Sequence, residues 1–199
     1  EARAHQNEST APDSGGAFAR KVDQTESEAF KRWFGDSKVV DSTGKPLVVY
    51  HGTNADFSVF DDQLSGTATD AGTEGRGFYF SSNPSAASSN AEWVSGFGEK
   101  AGANVMPVYL SLQNPYKISK SNAPRNLEGN AKESKKFRDS LIKQGFDGVE
   151  YTLMNGDKTY VAFNQTQIKS ATGNNGDFDG ENPDIRFSRT TVADGLQDG

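Results

Sequence analysis

The chain has 199 residues, of which 33% are hydrophobic and 21 are glycine, and it carries a net charge of −6. That acidic balance excludes a whole-chain electrostatic grip on nucleic acid, which needs clustered Lys and Arg, but not nucleic acid as a weakly held substrate. With no cysteine and only 2 histidines, a disulfide framework, a thiolate site, a cysteine nucleophile and a multi-histidine metal centre are also excluded.

Residues 1–24 mix small and polar side chains with one large apolar residue, Phe18, too few to offset the ordering entropy, so they read as a tail or linker. Thr25 and Glu28 have the spacing of a capping box for a helix that places Phe30, Trp33 and Phe34 on one face and stops at Gly35. Lys38–Val40 and Pro46–Tyr50 flank the turn-rich Asp41–Gly44 and predict a hairpin. Residues 52–76 read as a loop with Phe57, Val59, Phe60 and Leu64 as scattered apolar anchors. Gly77–Phe80 predicts a short strand, and Pro84, capped by Asn83 or Ser82, opens a helix to about Trp93.

A strand follows around Val105–Leu112, its Pro107 suggesting an edge or a bulge. Lys132–Gln144 predicts a helix with Phe137 and Leu141 on its inner face. Val149–Leu153 and Lys158–Phe163 alternate around Asn155-Gly156, a two-residue hairpin signal that pairs Thr152 with Thr159. Ile185 and Phe187 pin the polar end of a domain over 25–189, with 190–199 as a tail. Many short strands, mostly hairpin-joined, with few helices argue for an α+β domain. No apolar run approaches the roughly 20 residues a bilayer span needs, so a soluble chain with no membrane association is expected. No leader peptide is visible, and location in the cytoplasm of a producing or target bacterial cell is expected.

The residues that carry chemistry are few. Val48-Val-Tyr-His-Gly-Thr53 puts a histidine at a strand end, followed by a glycine that lets another molecule approach the backbone; the same residues suit an ordinary turn histidine. Gly75-Arg-Gly-Phe-Tyr-Phe-Ser81 offers Tyr79 as a flat face for a ring-shaped ligand, and equally describes a plain core strand. Gly72–Gly77 lacks the spacing of a dinucleotide fingerprint. Asn175–Gly180 starts like a calcium loop, but Arg186 stands where a bidentate Glu is required. Lys135, Lys136, Arg138 and Lys143 form a basic helix face that reads as solvated surface or as a patch for an anionic partner.

Taken in order, Trp33–Val40, Tyr50-His-Gly-Thr53, Gly75–Phe80, Gly145–Gly148, Tyr160–Ser170 and Asn182–Ser188 resemble the ADP-ribosyltransferases of the diphtheria-toxin and poly(ADP-ribose)-polymerase branch. More narrowly, they resemble the domains of phage polyvalent proteins and bacterial polymorphic toxins. The resemblance spans residues 26–189 and rests on the order of six segments. It implies a split two-sheet antiparallel β core with flanking helices and a His-Tyr-Glu site. His51 then matches the histidine that bonds the adenosine ribose of NAD. Gly52 matches the glycine whose backbone pairs with the nicotinamide amide, and Tyr79 the tyrosine that stacks on nicotinamide. Thr53, Gly77 and Phe78 complete the cofactor-binding set.

Two positions depart from that pattern. Thr159 stands where the family has Glu and supplies no charge. Gln167 is one substitute, Glu150 another, since the two-residue turn would place it near Val161 on the face of Thr159; the third possibility is that the carboxylate is simply missing. Asn90 stands at the usual second tyrosine, leaving Trp93 as the nearest aromatic for the other wall of the slot. The resemblance implies a mono-ADP-ribosyltransferase of the glycosyltransferase class with NAD as co-substrate and no metal. It would act as a phage or bacterial effector or toxin, as part of a longer polypeptide. Its acceptor would be macromolecular, protein being favoured over nucleic acid by the acidic charge. An NAD glycohydrolase and a catalytically impaired NAD- or ADP-ribose-binding module are the alternatives.

Overall fold

The computed structural model describes residues 23–64, 72–95, 104–119, 121–125, 127, 129–174 and 176–186. Residues 1–22 of the tail expected over 1–24, the tail at 190–199 and Phe187 lie outside them, whereas Asp23 and Gln24 are described and open a 3-10 turn. Seven strands form one hydrogen-bonded sheet: β1 (Val49–Thr53), β2 (Phe78–Ser81), β3 (Asn104–Leu110), β4 (Pro115–Ile118), β5 (Gly148–Thr152), β6 (Lys158–Ala162) and β7 (Ile168–Ser170), in the order β4-β5-β6-β2-β1-β3-β7. Every pairing is antiparallel except β4–β5. With helices α1 (Glu28–Phe34), α2 (Pro84–Ser95) and α3 (Ala131–Lys143), the fold is α+β. The split lies between β1 and β2, which share the single register pair Tyr50↔Ser81, whereas β1 and β3 pair along the whole strand.

The helices lie on one face. Phe30, Trp33 and Phe34 of α1 pack on Tyr109 of β3, and Phe137 and Leu141 of α3 pack on Val149 and Val161. Between them α2, rich in Ala and Ser, comes so close to β1 that a Cβ on Gly52 would lie 1.9 Å from the Ala87 carbonyl oxygen. The opposite face carries the main core, with Val49, Phe80, Met106, Val108 and Tyr160 covered by Val39, Phe60, Leu112 and Ile185 from connecting segments.

Several local expectations change. The α1 cap is Ser27, whose Oγ accepts from the Phe30 amide, while Asp23 caps a preceding 3-10 turn and takes the Thr25 amide. Lys38–Val40 and the following segment form only a minimal hairpin, the antiparallel bridge Val40↔Pro46 with the Leu47 amide on the Val39 carbonyl and the Asp41 amide on the Lys45 carbonyl. From Val49 on, β1 is claimed on both sides by β2 and β3. β3 is an interior strand despite Pro107. The carbonyl of Pro107 accepts from Ala171 just past β7, and the Ala171 carbonyl, which has no proline N–H to meet, accepts from the Gln24 side chain.

The largest change is in the β5–β6 hairpin. Leu153 and Asp157 close a three-residue loop in which Gly156 takes φ +91° and its amide bonds the Leu153 carbonyl. Thr152 therefore pairs with Lys158, not Thr159. A one-residue shift moves each side chain to the other face relative to its partner strand.

Candidate functional site

Side chains alternate along a strand, so the registers assign each candidate to a face. Tyr50↔Ser81, Ser81↔Thr159 and Tyr79↔Val161 put Tyr79 and Thr159 on the helix-covered face. His51 lies on the other, against Phe80 at a centroid distance of 5.6 Å. The structure thus brings His51 and Tyr79 to the same split while their rings belong to opposite faces. They meet through one bond: His51 Nδ1 lies 2.9 Å from the Tyr79 carbonyl oxygen. A carbonyl only accepts, so Nδ1 carries the proton and Nε2 is the accepting nitrogen of the neutral ring.

His51 sits among rings, 5.0 Å from Phe60 and 6.2 Å from Phe57 by centroid, both edge-on. Burial there holds its pKa below the ordinary value of 6.5, against the smaller upward pull of the Tyr79 carbonyl. Tyr79 is half-buried between β6 and α3, packed on the cluster of Val149, Val161 and Leu141. Its hydroxyl donates to the Gly75 carbonyl at 2.6 Å and accepts from the Glu74 amide at 3.2 Å. The turn before β2 therefore fixes the phenol. In the same turn, burial raises the pKa of the Glu74 carboxyl, partly countered by the Thr73 hydroxyl.

Gly52 serves a different end from the one its sequence suggests. Its Cα side is filled by α2, and glycine is required there for packing. Its peptide edge is another matter. Pro107 and Tyr109 direct their backbone groups to β7, so the residues of β3 that bond β1 are Asn104, Met106 and Val108, opposite Thr53, His51 and Val49. Tyr50 and Gly52 consequently turn their N–H and C=O toward β2, Tyr50 onto Ser81 and Gly52 into the split.

Other predicted site residues are placed otherwise. Gln167 is corrected: its Oε1 accepts from the Phe163 and Asn164 amides at 3.0 and 2.8 Å, and its Nε2 donates to the Asp147 carbonyl at 2.9 Å. It caps the end of β6 about 13 Å along the strand from Thr159 and has no group to spare. Glu150 is corrected as well. It pairs with Tyr160 on the core face, away from Thr159, is 7% exposed, and bonds Lys158 at 2.9 Å. Phe78 is a core residue at 6% exposure, not a ligand-facing one.

Gly77 is needed for packing, since a Cβ there would lie 2.4 Å from Val161 Cγ1. The Thr53 hydroxyl accepts from the Ala55 amide and closes the end of β1. Trp93 is on α2, but its side chain lies outside the described residues. Thr159, flanked by Ser81 and Tyr151, is the one third-position candidate on the face of Tyr79. Sequence reasoning missed Phe57 and Phe60 as the cover of His51; an aromatic pair spaced i, i+3 just after a strand-end histidine was the available signal.

Among the described residues no cluster of His, Asp or Glu could hold a metal ion, and no helix is long and apolar enough to cross a membrane. No curated protein matches the chain. Residues 41–178, which include β1 through β7 and the whole split, match the family described as ADP-Ribosyltransferase in polyvalent proteins. A sheet divided beside a His-Gly strand end, with a tyrosine across the division, is what that family match falls on, and the chain belongs to the ADP-ribosyltransferases of polyvalent proteins.

Proposed function

We propose that this chain is an NAD-dependent mono-ADP-ribosyltransferase acting on a macromolecular acceptor, with NAD lying across the split between β1 and β2. The observation that carries this reading is the divergence of the two strands after Tyr50↔Ser81, with the Gly52 peptide edge turned into the gap and His51 bonded across it to Tyr79. The Gly52 N–H and C=O suit a planar carboxamide such as that of nicotinamide. The Tyr79 ring offers its face on one side, and His51 Nε2 is an acceptor for a ribose hydroxyl on the other.

In the reaction, the bond between the anomeric carbon and nicotinamide breaks with its electron pair leaving on the nicotinamide nitrogen. The ribose gains oxocarbenium character, the acceptor nucleophile bonds to the anomeric carbon, and its proton goes to solvent. The protein positions both partners and stabilises charge. Thr159 provides a hydroxyl but no charge at the position facing the sugar, so slow turnover is expected.

That lack also supports a second reading, a module that binds NAD or ADP-ribose without turning it over. Incubation with labelled NAD and a bacterial lysate, divided into protease-treated and nuclease-treated halves, tests the first reading. Label lost with protease supports a protein acceptor, and label lost with nuclease a nucleic acid one. Nicotinamide release without any acceptor would identify a glycohydrolase. Calorimetric binding of NAD with neither label nor nicotinamide release would favour the binding module.

A further inference from the structure

Residues 182–186 lie beyond the family match, which ends at residue 178, yet they are tied into the body at every position but one. Ile185 is 1% exposed and stands between two segments: its amide donates to the Ser58 carbonyl at 2.8 Å, and its carbonyl accepts from the Ser170 amide of β7 at 2.9 Å. Lys169, itself buried, points its ammonium at the Asn182 and Asp184 carbonyls, 2.6 and 3.0 Å away. The segment is thus anchored to β7 on one side. On its other side it holds the stretch 56–60. Ser58 Oγ donates to Asp184 at 3.0 Å, and Arg186 donates to the Asp56 carboxylate at 2.6 Å and to the Phe57 carbonyl at 2.7 Å. The stretch so held carries Phe57 and Phe60, the two rings that close over His51.

We propose that segment 182–186 is a clasp that holds the aromatic cover on His51, and that Arg186 is its positioning residue. The stretch 56–60 belongs to no strand and is joined to the clasp by the isolated bridge Val59↔Asp184. A guanidinium can reach a carboxylate and a carbonyl together, which fixes the backbone of Phe57 relative to β7. Loosening it lets Phe57 swing and admits water to the imidazole. The inference rests on the reading of His51 as an NAD-binding group only for its kinetic consequence; the clasp itself is a statement about the fold.

The test uses the full chain with Arg186→Ala, Arg186→Lys and Asp56→Ala. Amide hydrogen exchange is followed over Phe57–Phe60, and nicotinamide release in the presence of the bacterial lysate as source of acceptor gives KM and kcat for NAD. Arg186→Ala is expected to speed exchange over Phe57–Phe60 and raise the KM for NAD by about tenfold, with kcat within about twofold and exchange in α3 unchanged. Arg186→Lys, which keeps the charge and a nitrogen able to donate to both acceptors but loses the planar, pre-organised guanidinium, should fall between. Asp56→Ala should lose less than Arg186→Ala, because the Phe57 carbonyl bond survives. Unchanged exchange and KM in Arg186→Ala would overturn the clasp, as would a fall in kcat at constant KM. If the wild-type chain turns over no NAD, the transferase reading fails by itself, and faster exchange over Phe57–Phe60 in Arg186→Ala still upholds the clasp.

Discussion

His51 is gripped by other rings, whereas Tyr79 is held by its own hydroxyl. On the core face the half-buried imidazole is flanked by Phe57, Phe60 and Phe80, which come from a loop and a neighbouring strand. On the helix face the phenol is pinned at its tip to the Glu74–Gly75 turn, while its ring lies half-exposed beside β6. One side of the split is aromatic and built from the core; the other is polar and built from a turn. A cofactor with a charged middle and two dissimilar ends suits such a site, since each end meets a surface that the other would not suit. The comparison also says where changes should hurt: on the core side through packing and protonation, on the turn side through orientation.

The sharpest break is at the strand that separates the two sides. Gly52→Ala drives a Cβ into the Ala87 carbonyl and should cost about 3 kcal/mol in denaturant unfolding, because neither α2 nor the β1–β3 ladder can yield. A stable variant would mean that α2 is not seated on β1 as described. Thr159→Glu comes next. It restores a carboxylate on the face of Tyr79 and should raise the rate of label transfer by about tenfold or more. No gain would place the reacting sugar away from β6.

Protonation probes the aromatic side alone. The folded-state pKa of His51 lies below the unfolded value near 6.5, so the unfolded chain binds the extra proton first. Its contribution to stability is complete above about pH 6.5 and is lost as pH falls toward the folded pKa, with a slope of at most about 1.4 kcal/mol per pH unit. Melting curves of His51→Gln against wild type over that window should show the slope flatten. A slope unchanged by the substitution would mean the imidazole is as hydrated as a surface histidine.

The mildest change is Tyr79→Phe, which keeps the ring and removes the tether to Gly75. A loss of about fivefold in NAD turnover is expected, consistent with one hydrogen bond of orientation. Complete loss would instead assign the hydroxyl a role in the reaction itself.

What could be read from the chain beforehand followed from local chemistry. Pro84 after a polar cap, the i, i+4 pair Phe137 and Leu141, and the aromatic run at Phe78–Phe80 each specify an element through neighbours a few residues away, and all three stand where expected. Register did not yield to the same reasoning. Asn155-Gly156 supports loops of two or three residues, and the choice of three placed Glu150 with Tyr160 and Lys158 instead of with Thr159. Gln167 looked like a spare amide because its partners Asp147 and Ser111 come from distant segments. Phe57 and Phe60 looked like scattered anchors because the group that fixes them, Arg186, lies 129 residues from Phe57 in the chain. The bonds of Gln167 to Asp147 and of Arg186 to Phe57 join segments far apart in the chain, where periodicity and capping are silent. The loop length at Leu153–Asp157 and the Asn164–Gln167 capping box, by contrast, are local features.

Titration of the chain with NAD, followed by backbone amide chemical shifts, probes the site most directly. The residues that should respond are 51–53 and 78–80, from both margins of the gap, while 116–118 and 149–151 stay fixed. Shifts confined to α3 and β4, or a spectrum indifferent to NAD, would contradict the placement of the co-substrate between β1 and β2.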